Sequence, residues 1–243
     1  MYDRNPDRVD DALRSTDGVD ETARYDDPLA LADTCDVVVE CAGHSAVERY
    51  AVPLLETGTD LLALSVGALA DADLHEAIVR TAVASGARFE VPSGALAGVD
   101  AIKGAAVHGQ LDEVVFVTIK PPAGLAGAPY IEEHDVDLAA IEEKRLVFEG
   151  SAREAAPAFP ANINVAMALS LAGLGADDTV VKIFADPDET DNVHRIEARG
   201  GAGSMAFAFH THPHPANPRT SYIAALSTIA SLRRRTAPLV VGT

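Results

Sequence analysis

At 243 residues and 48% hydrophobic content, the chain is long enough to bury one large core or two smaller ones. A formal net charge of −18 excludes nucleic acid and anionic membrane surfaces as partners, because either would repel such a surface. No run of about 18 apolar residues and no lipidation signal occurs, so the expectation is a cytoplasmic protein.

The first 27 residues are acidic and show little periodicity. From Asp36 the pattern becomes regular. Asp36-Val37-Val38-Val39-Glu40-Cys41-Ala42 reads as a buried parallel strand, short and β-branched. Cys35 and Cys41 lie in this one segment, which is poor geometry for a disulfide and offers too few ligands for zinc. A helix is predicted over Ser45 to Leu55, with Ser45 and Glu48 as a capping box and Gly58 just past its end. The unit repeats as strand Leu61 to Val66, helix Asp71 to Ala84 closed by Gly86, and strand Arg88 to Val91. Strands and helices alternating at this spacing predict a doubly wound parallel sheet.

Ligands bind such sheets at the carboxyl ends of the strands. Here those ends read Cys41-Ala42-Gly43-His44, Ser65-Val66-Gly67-Ala68 and Pro92-Ser93-Gly94-Ala95-Leu96-Ala97-Gly98, all small-residue turns that let a ligand approach the backbone. The third leads into a predicted helix, Val99 to His108, whose free N–H groups favour an anion.

After Gly109 the grammar changes. Val114 to Lys120 is a long strand, and the Pro- and Gly-rich stretch 121–129 is neither helix nor strand. Strand Arg145 to Phe148, helix Ser151 to Ala158 with a second capping box through Glu154, and helix Asn162 to Leu174 follow. Strands at 180–185, 194–199 and 205–209 come without intervening helices, so this half is α+β with a mixed or antiparallel sheet. A last helix is expected from Arg219 to Arg235. The predicted division is 1–97 with 217–243 as one domain and 98–216 as the other.

Candidate chemistry gathers in this second half. His194 ends the loop 186–194 between two strands, where an imidazole can carry a proton near neutral pH. Asn162 reads as a helix cap, and Asn164, inside the first turn, as an amide aimed at a ligand. His210, His212 and His214 alternate, but Pro213 and Pro215 break the strand and no carboxylate joins them, so no metal is assigned.

Several longer stretches stand together in a recognisable order: Val-Val-Val-Glu-Cys-Ala (37–42), Leu-Ser-Val-Gly-Ala-Leu-Ala-Asp (64–71), Pro-Ser-Gly-Ala-Leu-Ala-Gly-Val-Asp (92–100), Lys-Pro-Pro (120–122), Phe-Pro-Ala-Asn-Ile-Asn-Val-Ala (159–166), Asn-Val-His (192–194) and Asn-Pro-Arg-Thr-Ser (217–221). In these the chain resembles the L-aspartate dehydrogenases, over nearly its whole length. The resemblance implies a Rossmann-like cofactor domain and NAD(P)-dependent oxidative deamination of L-aspartate to iminoaspartate, then oxaloacetate and ammonia. The imine can feed NAD biosynthesis through quinolinate. It implies His194 as the catalytic base, Asn164 and Gly98 as cofactor contacts, and Ala42 at the cofactor edge. Asp3 falls where an acidic residue meets the adenine ribose, favouring NAD over NADP. Arg219, Thr220 and Ser221 are the candidates for the substrate carboxylates. By the same resemblance a Gly-rich strand, loop and helix are expected ahead of Met1, and a homodimer is expected through the sheet of the second domain. A non-catalytic remnant that binds a dicarboxylate or a partner chain, and another two-domain reductase, are the alternative readings.

Only four of the 19 basic residues are Lys, namely Lys103, Lys120, Lys144 and Lys182. Excess carboxylate with scarce Lys is the pattern of a halophilic protein, since concentrated salt screens its self-repulsion.

Overall fold

The computed structural model describes residues 1–16, 18, 23–161, 163–190, 192–214 and 217–242. The chain divides into two compact units, Met1–Val91 and Pro92–Thr243. The break thus falls before Pro92, and segment 217–243 groups by its contacts with the second unit.

The first unit opens with a helix that the acidic composition had hidden. Helix α1 (Pro6–Ser15) starts where Asn5 accepts the Asp7 N–H, carries Pro at its first position, and buries Val9 and Leu13. Then come β1 (Val37–Glu40), α2 (His44–Glu56), β2 (Asp60–Ala63), α3 (Ala72–Ser85) and β3 (Phe89–Glu90). The strands form a parallel sheet in the order β1-β2-β3, with Val38 beside Leu61 and Leu61 beside Phe89. Two crossover helices between parallel strands give the expected Rossmann-like grammar. Helix α3 follows its local signals: Asp71 accepts the N–H groups of Asp73 and Leu74, and Gly86 closes it at φ 77°. Helix α2 does not. It is entered through Gly43 at φ 121°, which puts Ser45 inside the first turn, and no side chain caps it.

The second unit holds α4 (Val99–Val107), β4 (Glu113–Lys120), α5 (Pro129–Glu133), β5 (Arg145–Ser151), α6 (Ala152–Ala158), α7 (Ile163–Ala172), β6 (Thr179–Ala185), β7 (Asn192–Gly200), β8 (Gly203–Thr211), β9 (Pro213–His214), β10 (Asn217–Ser221) and α8 (Tyr222–Arg234). Its main sheet runs β5-β6-β4-β7-β8, with β4 parallel to β6 and the remaining pairs antiparallel. The mixed sheet is the one that the run of consecutive strands predicted. The capping box of α6 also forms, Ser151 and Glu154 exchanging bonds with each other's backbone.

Side-chain alternation assigns the two sheet faces. On one face Phe116, Thr118, Val181 and Ile183 meet Ala155, Phe159, Ile163 and Ala166, leaving a cavity no larger than a single water. The core of this unit lies here, with Met167 and Leu169 of α7 fully buried. The opposite face carries Val115 and Val117 half-exposed and Arg195 and Glu197 exposed.

Two boundaries depart from expectation. The stretch after Lys120, read as irregular, contains a short 3-10 turn at Pro122–Leu125 and α5. The last helix begins at Tyr222 and not at Arg219, because residues 217–221 pair with β9 and the Tyr222 N–H donates to the His212 carbonyl at 3.0 Å.

Candidate active site

His194 is not in the loop. Strand β7 begins at Asn192, so the imidazole stands on a strand, directly opposite Thr118 of β4 on one side and Phe209 of β8 on the other. Its neighbours enclose it. The ring stacks on Phe116 at 5.4 Å between centroids and 29° between planes, and is tilted against Phe209 at 5.6 Å. The residue is 7% exposed and Thr118 is 2% exposed. Neither His194 Nδ1 nor Thr118 Oγ1 has a hydrogen-bond partner among the described residues. Buried polar atoms left open in this way are rare, and two on directly opposed residues mark a place where a ligand atom or a water completes the bonding.

Burial disfavours the charged ring. It lowers the His194 pKa to about 4, with repulsion from Lys120 adding to the effect. Lys120 is itself lowered to about 8 by burial. At neutral pH the site therefore holds a neutral imidazole beside a largely protonated amine. Lys120 is the last residue of β4, two positions beyond Thr118 on the same face, and its carbonyl accepts the Asp186 N–H at 2.9 Å, tying the strand end to the loop after β6. Lys120 stands in the Lys-Pro-Pro stretch, and nothing local in the sequence assigns it a role. The available signal was one of four lysines placed at the end of an otherwise apolar strand.

Asn164 is half-buried in the first turn of α7, and its neighbours Ile163 and Ala166 pack over Phe116 and Thr118. The helix start is thereby anchored above the sheet face that bears His194. Asn162 lies outside the described residues. Gly98 is the N-cap of α4 at φ 72°, and a methyl added to it would fall within the ring of Phe207, which pairs with Ile196 beside His194 on the sheet. Glycine suits that left-handed backbone, and an alanine would have to displace the Phe207 ring. Of the substrate candidates, Arg219 and Thr220 lie on β10 with their side chains outside the described part, while Ser221 is half-buried at the entry to α8 with its Oγ unbonded among the described residues.

The first unit carries the other two expected contacts. Asp3 accepts the Asn5 N–H at 2.8 Å. It is also one of the charges, after burial and Glu40, that raise the Cys41 thiol pKa, so Asp3 stands near the end of β1. Ala42 is exposed in the turn that follows, its N–H donated to Glu40 at 2.7 Å. Among the described residues no cluster of His, Cys, Asp or Glu is arranged to hold a metal ion, and no helix is long and apolar enough to cross a membrane.

Residues 100–235 match the family described as aspartate dehydrogenase, C-terminal, and residues 1–92 the one described as homoserine dehydrogenase, NAD binding domain. An L-aspartate dehydrogenase of Methanosarcina barkeri is 43% identical over 88% of this chain and 78% of its own length. The chain belongs to the L-aspartate dehydrogenase family. An L-aspartate dehydrogenase of Bradyrhizobium diazoefficiens is 46% identical over 88% of this chain and 74% of its own. The crystal structure of aspartate dehydrogenase from Thermotoga maritima superimposes with a TM-score of 0.74 at 28% identity, covering 94% of this chain and 87% of the other. Family membership implies an NAD(P)-binding protein. The two family matches thus fall one on each unit, residues 1–92 on the Rossmann-like one and 100–235 on the mixed-sheet one.

Proposed function

We propose that the chain catalyses NAD(P)-dependent oxidative deamination of L-aspartate to iminoaspartate, which water converts to oxaloacetate and ammonia. The observation that carries this is His194: a buried, neutral imidazole with an open Nδ1, opposite the open hydroxyl of Thr118 and beside Lys120, in a member of this family. The first unit is the cofactor domain in this reading, and the second binds substrate.

The residues fit a nicotinamide cofactor. NAD(P), when bound, accepts the hydride from the substrate Cα. Asn164 offers an amide and Gly98 a backbone contact, and Asp3 supplies an acceptor for a ribose hydroxyl, which favours NAD over NADP. Lys120 and Ser221 lie among the candidates for the two substrate carboxylates, with Arg219 and Thr220 beside Ser221 in sequence.

His194 holds and moves the proton. A ring that is neutral at pH 7 is free to accept one from the substrate amine before hydride leaves, and from the water that attacks the imine afterwards. Two substrate carboxylates beside it offset the Lys120 repulsion and raise its proton affinity as substrate binds. Phe116 and Phe209 keep bulk water off the ring.

This reading places the enzyme in the cytoplasm, where iminoaspartate feeds NAD biosynthesis, and pairs two copies through the half-exposed sheet face bearing Val115 and Val117. Its test is NAD(P)H formation by the purified protein with L-aspartate, with oxaloacetate and ammonia appearing in equal amounts and NAD used in preference to NADP. Turnover of other amino acids or hydroxy acids with none of L-aspartate contradicts it.

A further inference from the structure

A neutral imidazole carries one N–H, and the nitrogen that bears it decides which side of the ring can accept a proton. In His194 the nitrogen that is both shut off from the surface and without a hydrogen-bond partner among the described residues is Nδ1. No substrate atom reaches a nitrogen so placed. A base at this ring therefore works through Nε2, which leaves the single proton of the neutral ring on Nδ1. A buried N–H in turn needs an acceptor.

Thr118 is the residue that faces it. The two stand directly opposite across the antiparallel pair of β4 and β7, so their side chains leave the same face of the sheet with Cβ atoms about 5 Å apart. Thr118 Oγ1 is itself buried and without a partner among the described residues. Thr118 also lines the cavity that has room for about one water, and the seven other residues lining it are apolar. Phe116 and Phe209 meanwhile pack against the imidazole at 5.4 and 5.6 Å between centroids, so the ring is held and its tautomer is what remains to be set.

We propose that Thr118 is a positioning residue for His194: one buried water between the Thr118 hydroxyl and Nδ1 takes the hydrogen bond of the ring proton and so fixes the tautomer that presents Nε2 as the base. The inference rests on the proposed role of His194 in oxidation of L-aspartate. Donors and acceptors match, since Nδ1–H donates to the water and the water donates to Oγ1. When Nε2 takes the proton of the substrate amine, the Nδ1–H keeps the same acceptor, and its bond becomes charge-assisted without any movement. The gain belongs to the charged ring formed during turnover, so it appears in kcat and not in KM.

Thr118→Val keeps the shape of the side chain and removes the hydroxyl, whereas Thr118→Ser keeps the hydroxyl. With L-aspartate and saturating NAD, Thr118→Val is expected to lower kcat about 10- to 100-fold with KM for L-aspartate within about twofold, and Thr118→Ser to stay within about threefold of the wild-type kcat. Long-range proton–nitrogen correlation spectra of the whole protein with isotope-labelled histidine, the His194 signals assigned through His194→Gln, read the tautomer directly. The wild-type ring is expected to be protonated at Nδ1, and the Thr118→Val ring to shift its proton to Nε2. A wild-type ring protonated at Nε2, a Thr118→Val kcat within about twofold of the wild type, or an equal loss in Thr118→Ser overturns the proposal. Where Thr118→Val fails to fold, the wild-type spectrum and the kcat of Thr118→Ser decide. A wild-type protein that does not turn over L-aspartate removes the proposed reaction, and the spectra of the wild type and Thr118→Val then decide the tautomer by themselves.

Discussion

The buried ring of His194 makes stability depend on pH in a defined direction. Its pKa in the folded chain is about 4, against an ordinary value of 6.5. Between those values the unfolded chain takes up a proton that the folded chain refuses, so the stabilisation is whole above pH 6.5 and is lost as pH falls toward 4. The difference amounts to on the order of 3 kcal/mol. Lys120 does not contribute in this window, because below pH 8 it is charged in both states. His194→Phe keeps a ring between Phe116 and Phe209 and removes the titration. Urea unfolding at pH 7 and pH 5 is expected to show a smaller loss on acidification in this variant than in the wild type, and equal losses contradict the assigned burial. At this scale the sequence identified His194 through Asn-Val-His but put it in a loop, since only the opposing strands reveal that it is enclosed. Lys120 and Thr118 went unassigned for the same reason: their roles arise from His194, a residue distant in the chain.

Elements were legible where their signals are local. Helix α3 between Asp71 and Gly86, and α6 with its Ser151–Glu154 box, were readable because cap and helix are neighbours in sequence. Helix α2 was misread because Glu40 competes for the same turn, and α8 because pairing with β9 holds 217–221 extended. Helix α4 shows how tightly one such start is fixed. At Gly98 an alanine meets both a left-handed backbone, φ 72°, and the Phe207 ring. Gly98→Ala is expected to lower stability by about 1–2 kcal/mol. Trimming the ring with Phe207→Leu should make the same substitution less damaging, and this double-mutant cycle is readable by thermal unfolding. Additive effects of the two changes contradict the contact.

Across the whole molecule the two-part plan was legible because its two halves differ in grammar, strand alternating with helix before Pro92 and consecutive strands after Leu174. The division by contacts differs from the expected one at two places, residues 92–97 and 217–243, both of which group with the second unit. Charge acts at this scale too. With a net −18, self-repulsion opposes the compact state in dilute buffer, and salt that shortens the Debye length to about 3 Å at 1 M relieves it. Unfolding midpoints are expected to rise from dilute buffer to molar KCl, and a protein most stable without salt contradicts a halophilic character. The central claim, that His194 carries the proton in oxidation of L-aspartate, is tested most directly by the rate of NADH formation at saturating L-aspartate and NAD for the wild type and His194→Gln. The predicted result is a loss of about 10²–10⁴-fold with the fold retained by circular dichroism, and a variant rate within about threefold of the wild type, well under 1 kcal/mol of barrier, would contradict it.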